Sequence, residues 1–329
     1  MSRLVIRYRH GGSTSGMGGG VWRDLGELIR TAGLAGRLPP VRRRTAEYVA
    51  EFDRVVAPIM ARFSSGGYLD DATYDVCAKL SFLLAAYAAT AGVLFRRDLA
   101  VLGGAVARVY DDLIDSGTDD TVDTWVAALF RGEPATPRSD RERLLHALYR
   151  ELERRLDRGR DDPVYAALLA LHDNQVRSRR QRDPAIAPAL LTDITVAKGG
   201  HAMVVCVGLL HPALTERQIA VVHELGVALQ LLDDYLDVAA DRRSGITTAA
   251  TRHELTLAHV CRRLRELRPT LRACYGRDQP LGAVLYLNLW LAFVRHRFPG
   301  WPARRRPFRV LVRSARRRIR SVNTRRESV

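Results

Sequence analysis

Two runs of aspartate stand out in this chain. One is Asp111-Asp112-Leu113-Ile114-Asp115, and the other is Asp233-Asp234-Tyr235-Leu236-Asp237, followed by Asp241. Each is set in an apolar context, with Val106, Val109 and Leu113 around the first and Leu229, Leu232 and Leu236 around the second. A carboxylate is costly to bury there without a partner. On a helix, residues three and four apart share a face, so Asp111 projects with Asp115, with Asp112 beside them. Asp233, Asp237 and Asp241 form a ladder over two turns, flanked by Asp234, and Gln230 supplies an amide one turn earlier. Like charges so spaced repel each other by a few tenths of a kcal/mol per pair, so an array of this kind calls for a cation. Clustered oxygen ligands suit Mg²⁺ holding a phosphorylated substrate. The runs begin 122 positions apart, as two walls of one site would.

The elements that must carry these walls read as helices. Apolar residues recur at three and four positions, and alternating runs are scarce. Helices are expected over about 41–63, 71–95, 98–116, 121–131, 139–157, 162–181, 187–210, 215–241, 251–275 and 279–297, with ends good to ~2–4 residues. Turn chemistry separates them at Ser64–Gly67, Gly132-Glu133-Pro134 and His211-Pro212, with Thr215 and Gln218 restarting a helix. The expected fold is all-α, a single large helical domain. It would span 41–300, after a flexible lead over 1–40 that holds the Gly/Ser-rich segment Gly11–Gly20, and before an arginine-rich tail over 301–329.

Of 329 residues, 47% are hydrophobic, which suits a globular chain. The formal charge of +16 is concentrated at one end. Residues 304–329 hold eleven arginines against Glu327 alone, a net +10. Such a tail suits an anionic membrane surface or is a solvated end. No aromatic-basic motif supports nucleic acid as a partner. Cys77, Cys206, Cys261 and Cys274 lack metal-ligand spacing, so free thiols in a reducing, cytoplasmic setting are expected. No signal sequence is evident, and the longest apolar run, Leu80–Phe95, is short of the ~18 residues a membrane span needs.

Three segments together resemble the isoprenoid synthase superfamily, which contains the trans-prenyl diphosphate synthases and the class I terpene synthases. Leu229–Asp241, LQLLDDYLDVAAD, is similar to the second aspartate-rich motif of prenyl diphosphate synthases, with Leu229 in place of an aromatic residue. Val109–Gly117, VYDDLIDSG, resembles the first motif. Ala197–Val205, AKGGHAMVV, resembles the segment whose lysine contacts the substrate diphosphate. The likeness covers about residues 65–245. It implies a helical bundle whose two motifs face each other across a deep apolar cavity, bridged by three Mg²⁺ ions to an allylic isoprenyl diphosphate. Asp111, Asp112, Asp115, Asp233, Asp234 and Asp237 are the implied metal ligands, with Asp111, Asp115, Asp233 and Asp237 central to catalysis. Lys198 would touch the diphosphate, beside Gly199-Gly200, which would let backbone and substrate approach closely. Terpene synthases also carry a diphosphate-sensing arginine upstream of the second motif. Arg177 or Arg180 could serve, with Gln175 and Gln181 nearby, and Arg243 is a further candidate. Gln230 completes the implied set.

Elongating members must also hold isopentenyl diphosphate, using basic residues before the first motif and an arginine pair after it. Here Lys79 could stand for a lysine of the former group. Asp119, Asp120 and Asp123 occupy the place of the latter, and two diphosphates cannot sit side by side without cations. The leading expectation is therefore a class I terpene synthase, which ionises the allylic diphosphate, releases diphosphate and cyclises or deprotonates the cation. The alternatives are a prenyltransferase that elongates the chain or alkylates another acceptor, and a non-catalytic binding protein acting through the basic tail. A homodimer is compatible with all three.

Overall fold

The structure, a computed structural model, describes residues 17–34, 41–63, 66–116, 120–298 and 310–317. They are helical almost throughout, with no strand among them, as expected. The helices are α1 (Met17–Thr31), α2 (Val41–Val55), α3 (Ala57–Met60), α4 (Asp71–Ala91), α5 (Arg97–Ser116), α6 (Asp120–Arg131), α7 (Asp140–Leu156), α8 (Pro163–Ser178), α9 (Pro188–Gly208), α10 (Glu216–Arg243), α11 (Leu257–Tyr275) and α12 (Leu281–Arg297). A last helical segment covers 310–317.

The helix ends follow local chemistry. Asp70, Ser139, Asp162 and Thr256 each accept a backbone N–H in the first turn of α4, α7, α8 and α11. Thr215 and Gln218 form a reciprocal capping box that restarts the chain as α10 after the His211-Pro212 break. Gly92 and Gly276 close α4 and α11 in the left-handed region, at φ 73° and 72°, where a side chain would be strained.

Two apolar cores result. One joins α1, α9, α10, α11 and α12, and the other joins α2, α3, α5, α6 and α7. Helix α4 belongs to both, giving Leu84 and Tyr87 to the first and Tyr74 and Cys77 to the second. Helices α5 to α10 enclose a cavity beside this seam. By length and composition alone α9 could cross a membrane. Here it packs between α8 and α10, so its apolar character serves the interior.

Both ends of the chain depart from expectation. The lead expected to be flexible over 1–40 is helical from Met17. Its apolar face, with Val21, Leu25 and Leu28, joins the first core. Asp24, buried in α1, accepts the Ala258 N–H (3.1 Å) and pairs with Arg297, while Glu27 pairs with Arg265 at 2.6 Å. The opening glycines obscured a face that only α11 and α12 complete. In the arginine-rich tail, 310–317 lies against the start of α4, with Val312 and Ala315 buried. Arg313 and Arg316 bond Asp71 at 2.5 and 2.6 Å, and Arg316 stacks on Tyr74 at 4.1 Å. Part of the tail's charge is thereby spent inside the fold. The rest of the tail lies outside the described residues. All four cysteines are free.

Candidate active site

The first aspartate run ends α5, where the negative pole of a helix disfavours anions. The last carbonyls of that helix also lack intrahelical partners. Arginines from two other elements meet both needs. Arg141 donates to the Asp112 carbonyl (3.3 Å), Arg179 to Ile114 (3.5 Å) and Arg182 to Asp115 (3.2 Å). Arg179 is itself anchored by Asp123, with one N–H···O distance of 2.8 Å. Asp123, which the sequence placed where an elongating enzyme wants a cation, thus serves to hold Arg179 under α5. Asp119 lies outside the described residues.

The second run sits in the C-terminal part of α10, which crosses α9 at close range. A Cβ on Gly199 would lie 2.5 Å from Gln230 Cβ and 2.7 Å from the Gly226 carbonyl oxygen. A Cβ on Gly200 would collide with the His223 ring. The glycine pair was expected to let backbone and substrate approach closely. The backbone that approaches is that of α10, which brings Lys198 alongside Gln230 and Asp233. Gly199→Val is expected to force the helices apart and destabilise the fold by about 1–3 kcal/mol, the usual cost of overpacking. Urea unfolding would read this, and an unchanged midpoint would show that the crossing yields easily.

The cavity between α5 and α10 has a volume of about 280 Å³. Its walls are mostly apolar, with Val106, Ala107, Leu168, Leu171, Ala202 and Val205 among them. Asp111, Gln175, Lys198, Gln230 and Asp233 gather at one end. Asp111 from α5, Lys198 from α9 and Asp233 from α10 therefore share one mouth. Lys198 acts electrostatically on Asp111, Asp233, Asp234 and Asp241.

The carboxylates are unevenly placed. Asp111 and Asp233 expose oxygen to the recess, yet dense protein surrounds them and the water there solvates charge poorly. This desolvation pushes Asp111 up to about 6 against the pull of Lys198, with Asp115 and Asp112 adding repulsion. Desolvation and then Asp237 raise Asp233. Asp241 is pushed up to about 6 by burial, Asp237 and Asp233. Asp115 is exposed and Asp237 half-buried, each one turn beyond its lining partner.

The second member of each pair has another role. Asp112 is paired with Arg108 and does not line the cavity. Asp234 is buried, accepts the Gln230 amide at 2.8 Å, and leaves its other oxygen without a partner. Burial pushes it up to about 7. Nor do the two arginines named as diphosphate sensors line the cavity. Arg177 is exposed, 4.0 Å from Asp193, and Arg180 is exposed. Gln181 is buried against the Thr247 carbonyl (3.2 Å). Gln175 does line the cavity.

Among the described residues no three His, Cys, Asp or Glu side chains converge tightly enough to hold a metal by themselves. The donor set fits Mg²⁺ even so. The available groups are all carboxylate oxygens, with Lys198 the cation that acts on Asp111 and Asp233, and Mg²⁺ takes one or two carboxylates, with waters and phosphate oxygens completing its shell. Asp111 and Asp115 would hold it from one wall, Asp233 and Asp237 from the other.

Tyr110, next to Asp111, also lines the cavity. Its hydroxyl lies 3.0 Å from His172 Nδ1, and His172 Nε2 lies 3.0 Å from the Asp123 carbonyl oxygen. Because a carbonyl only accepts, Nε2 carries the proton and the tyrosine donates to Nδ1. This ties the cavity wall to α6 and α8. Nothing in the spacing of Tyr110 and His172 announces the pair.

A second cavity of about 410 Å³ adjoins the first and shares Ala202, Cys206, Gln230 and Asp233 with it. Lys79 lines it but is paired with Asp75 at 2.8 Å.

No family model matches the chain, and no match to a curated protein was found.

Proposed function

We propose that this chain is a Mg²⁺-dependent class I terpene synthase acting on an allylic isoprenyl diphosphate. One observation carries the reading. Asp111, Lys198 and Asp233 come from three helices to the same end of a mostly apolar cavity. Anion-binding chemistry at a mouth above an apolar slot suits a substrate with a diphosphate head and a hydrocarbon tail. Bound Mg²⁺ would neutralise the leaving diphosphate and so assist its departure. Lys198 adds a fixed positive charge on the same side, where low local dielectric strengthens it. Tyr110, Phe130 and Tyr149 give the slot aromatic faces that can stabilise a cation. The apolar walls keep water from that cation.

Prenyl transfer is the second reading, favoured by the adjoining cavity at Gln230 and Asp233, where an acceptor could meet the cation. With Lys79 committed to Asp75, that cavity is poorly equipped for a second diphosphate. Purified protein incubated with Mg²⁺ and C10, C15 or C20 allylic diphosphates is expected to release diphosphate and yield hydrocarbon or alcohol without isopentenyl diphosphate. Longer diphosphates formed only in its presence would replace this reading with chain elongation. Complete inertness, unchanged by Asp111→Ala, would leave a binding protein.

A further inference from the structure

The far end of the slot is built differently from its walls. Glu153 and Tyr165 line both the slot and a separate outer pocket, so the partition between slot and surface is one side chain thick there. Arg160 holds that partition together. It donates to the Phe130 carbonyl at 2.8 Å and to the Tyr149 hydroxyl at 3.4 Å, pairs with Glu153, and stacks on the Tyr165 ring at 4.6 Å. All four of those partners line the slot. Arg150 holds Glu153 from its other side at 2.8 Å. Arg158, two residues earlier on the same α7–α8 connection, donates to the Gly208 and Leu209 carbonyls at 2.6 and 3.3 Å. The two arginines thus take up the free carbonyls where α6 and α9 end, and draw both helix ends onto the α7–α8 connection.

The slot's depth follows from helix rise. Gly103 lines its far end and Asp111 its mouth. Eight residues of α5 at 1.5 Å each give about 12 Å. From Val164 to Gln175 on α8, or Lys198 to Leu209 beside α9, eleven residues give about 16 Å. A zigzag carbon chain advances ~1.25 Å per ~1.5 Å bond, so an isoprene unit with four backbone carbons spans about 5 Å. Three units fit.

We infer that the slot measures the substrate tail, that it fits about three isoprene units (fifteen carbons), and that Arg160 is the stopper that sets this length. The inference rests on the diphosphate reading of the mouth and adds the length class of the tail. A longer chain must displace the Arg160–Glu153 pair. Without Arg160 the slot continues into the outer pocket.

Saturated n-alkyl diphosphates test this apart from chemistry, because they lack the allylic bond that ionises. Their affinity with Mg²⁺ is measured by calorimetry from six to eighteen carbons. In the wild type it should rise about fourfold per methylene, the gain from burying a CH₂, and stop rising near twelve backbone carbons. Arg160→Ala should carry the rise on by several carbons. Glu153→Gln, which keeps the side chain's shape, should do the same in smaller measure if Arg160→Ala does not fold. A wild-type rise that continues to eighteen carbons overturns the inference, as does a break unmoved in folded variants. A break near twelve carbons without turnover of any allylic diphosphate would instead remove the synthase reading and leave the ruler. No binding at any length removes both.

Discussion

Asp111→Ala should lower Mg²⁺-dependent diphosphate release by about 10³-fold, and Asp233→Ala should do the same, while Asp112→Ala should cost less than about tenfold. The expected size is that of removing one well-placed electrostatic group from a water-poor site. The contrast within the first pair is the stringent part. Asp111 opens onto the cavity, whereas Asp112 is held by Arg108. The double variant Asp111→Ala/Asp233→Ala should fall little below either single one, because groups that act as a unit are not additive. Stability should move the other way. Asp111, raised to about 6 by desolvation, is an unfavourable anion at neutral pH in the metal-free protein. Its removal should leave the melting temperature unchanged or higher. Initial rates and thermal unfolding on the same preparations measure both effects. If Asp112→Ala proved as damaging as Asp111→Ala in a folded protein, the assignment of the lining carboxylate would be wrong.

Why the sequence showed both runs but not the cavity-lining member of each pair comes down to helix rotation. Neighbours on a helix differ by 100° in direction, and packing decides which of them faces the cavity. A clue does lie one and two turns back. Ala107 and Gly103, at four and eight residues before Asp111, are small and line the slot with it. Arg108, four before Asp112, is its partner, and Gln230, four before Asp234, is its donor. The residue one turn back thus marks each committed aspartate with a polar partner, and Asp111 with a small side chain, whereas Leu229 before Asp233 carries no such mark. Helices and caps were legible because they depend on neighbours in sequence. The long-range groups were not. Arg179 lies in a run of similar arginines, and only the fold sets it 56 residues away against Asp123. Gly199 looked like part of a substrate contact because its real neighbours, Gly226 and Gln230, lie on another helix. The helix from Met17 hid behind glycines, since its stability comes from α11 and α12 rather than from propensity.

Asp234→Asn is expected to stabilise the metal-free protein by on the order of 2–4 kcal/mol at pH 8 and by much less at pH 5, taking 1.36 kcal/mol per pKa unit. Burial lifts this carboxyl from the usual 3.8 to about 7, with repulsion from Asp233 adding to it and the Gln230 amide opposing it. Between those two values the folded chain keeps a proton that the unfolded chain has given up. The contribution of Asp234 to stability is therefore intact below about pH 4 and declines as pH rises to about 7, where the folded state comes to hold a buried charge. Asparagine has no such titration and gives its amide nitrogen to the site of the unpartnered oxygen, while its carbonyl still accepts from Gln230. Several histidines with lowered pKa, including His172 and His223, titrate in the same window with the opposite sign, so the wild-type curve alone is not diagnostic. The difference between variant and wild type isolates Asp234. Urea unfolding at pH 5 and pH 8 without Mg²⁺ reads it, and a difference independent of pH would sink the argument. Activity separates the two roles this residue has been given. An aspartate buried off the cavity should tolerate asparagine with less than about a tenfold loss of turnover, whereas a direct metal ligand should lose turnover as Asp233 does.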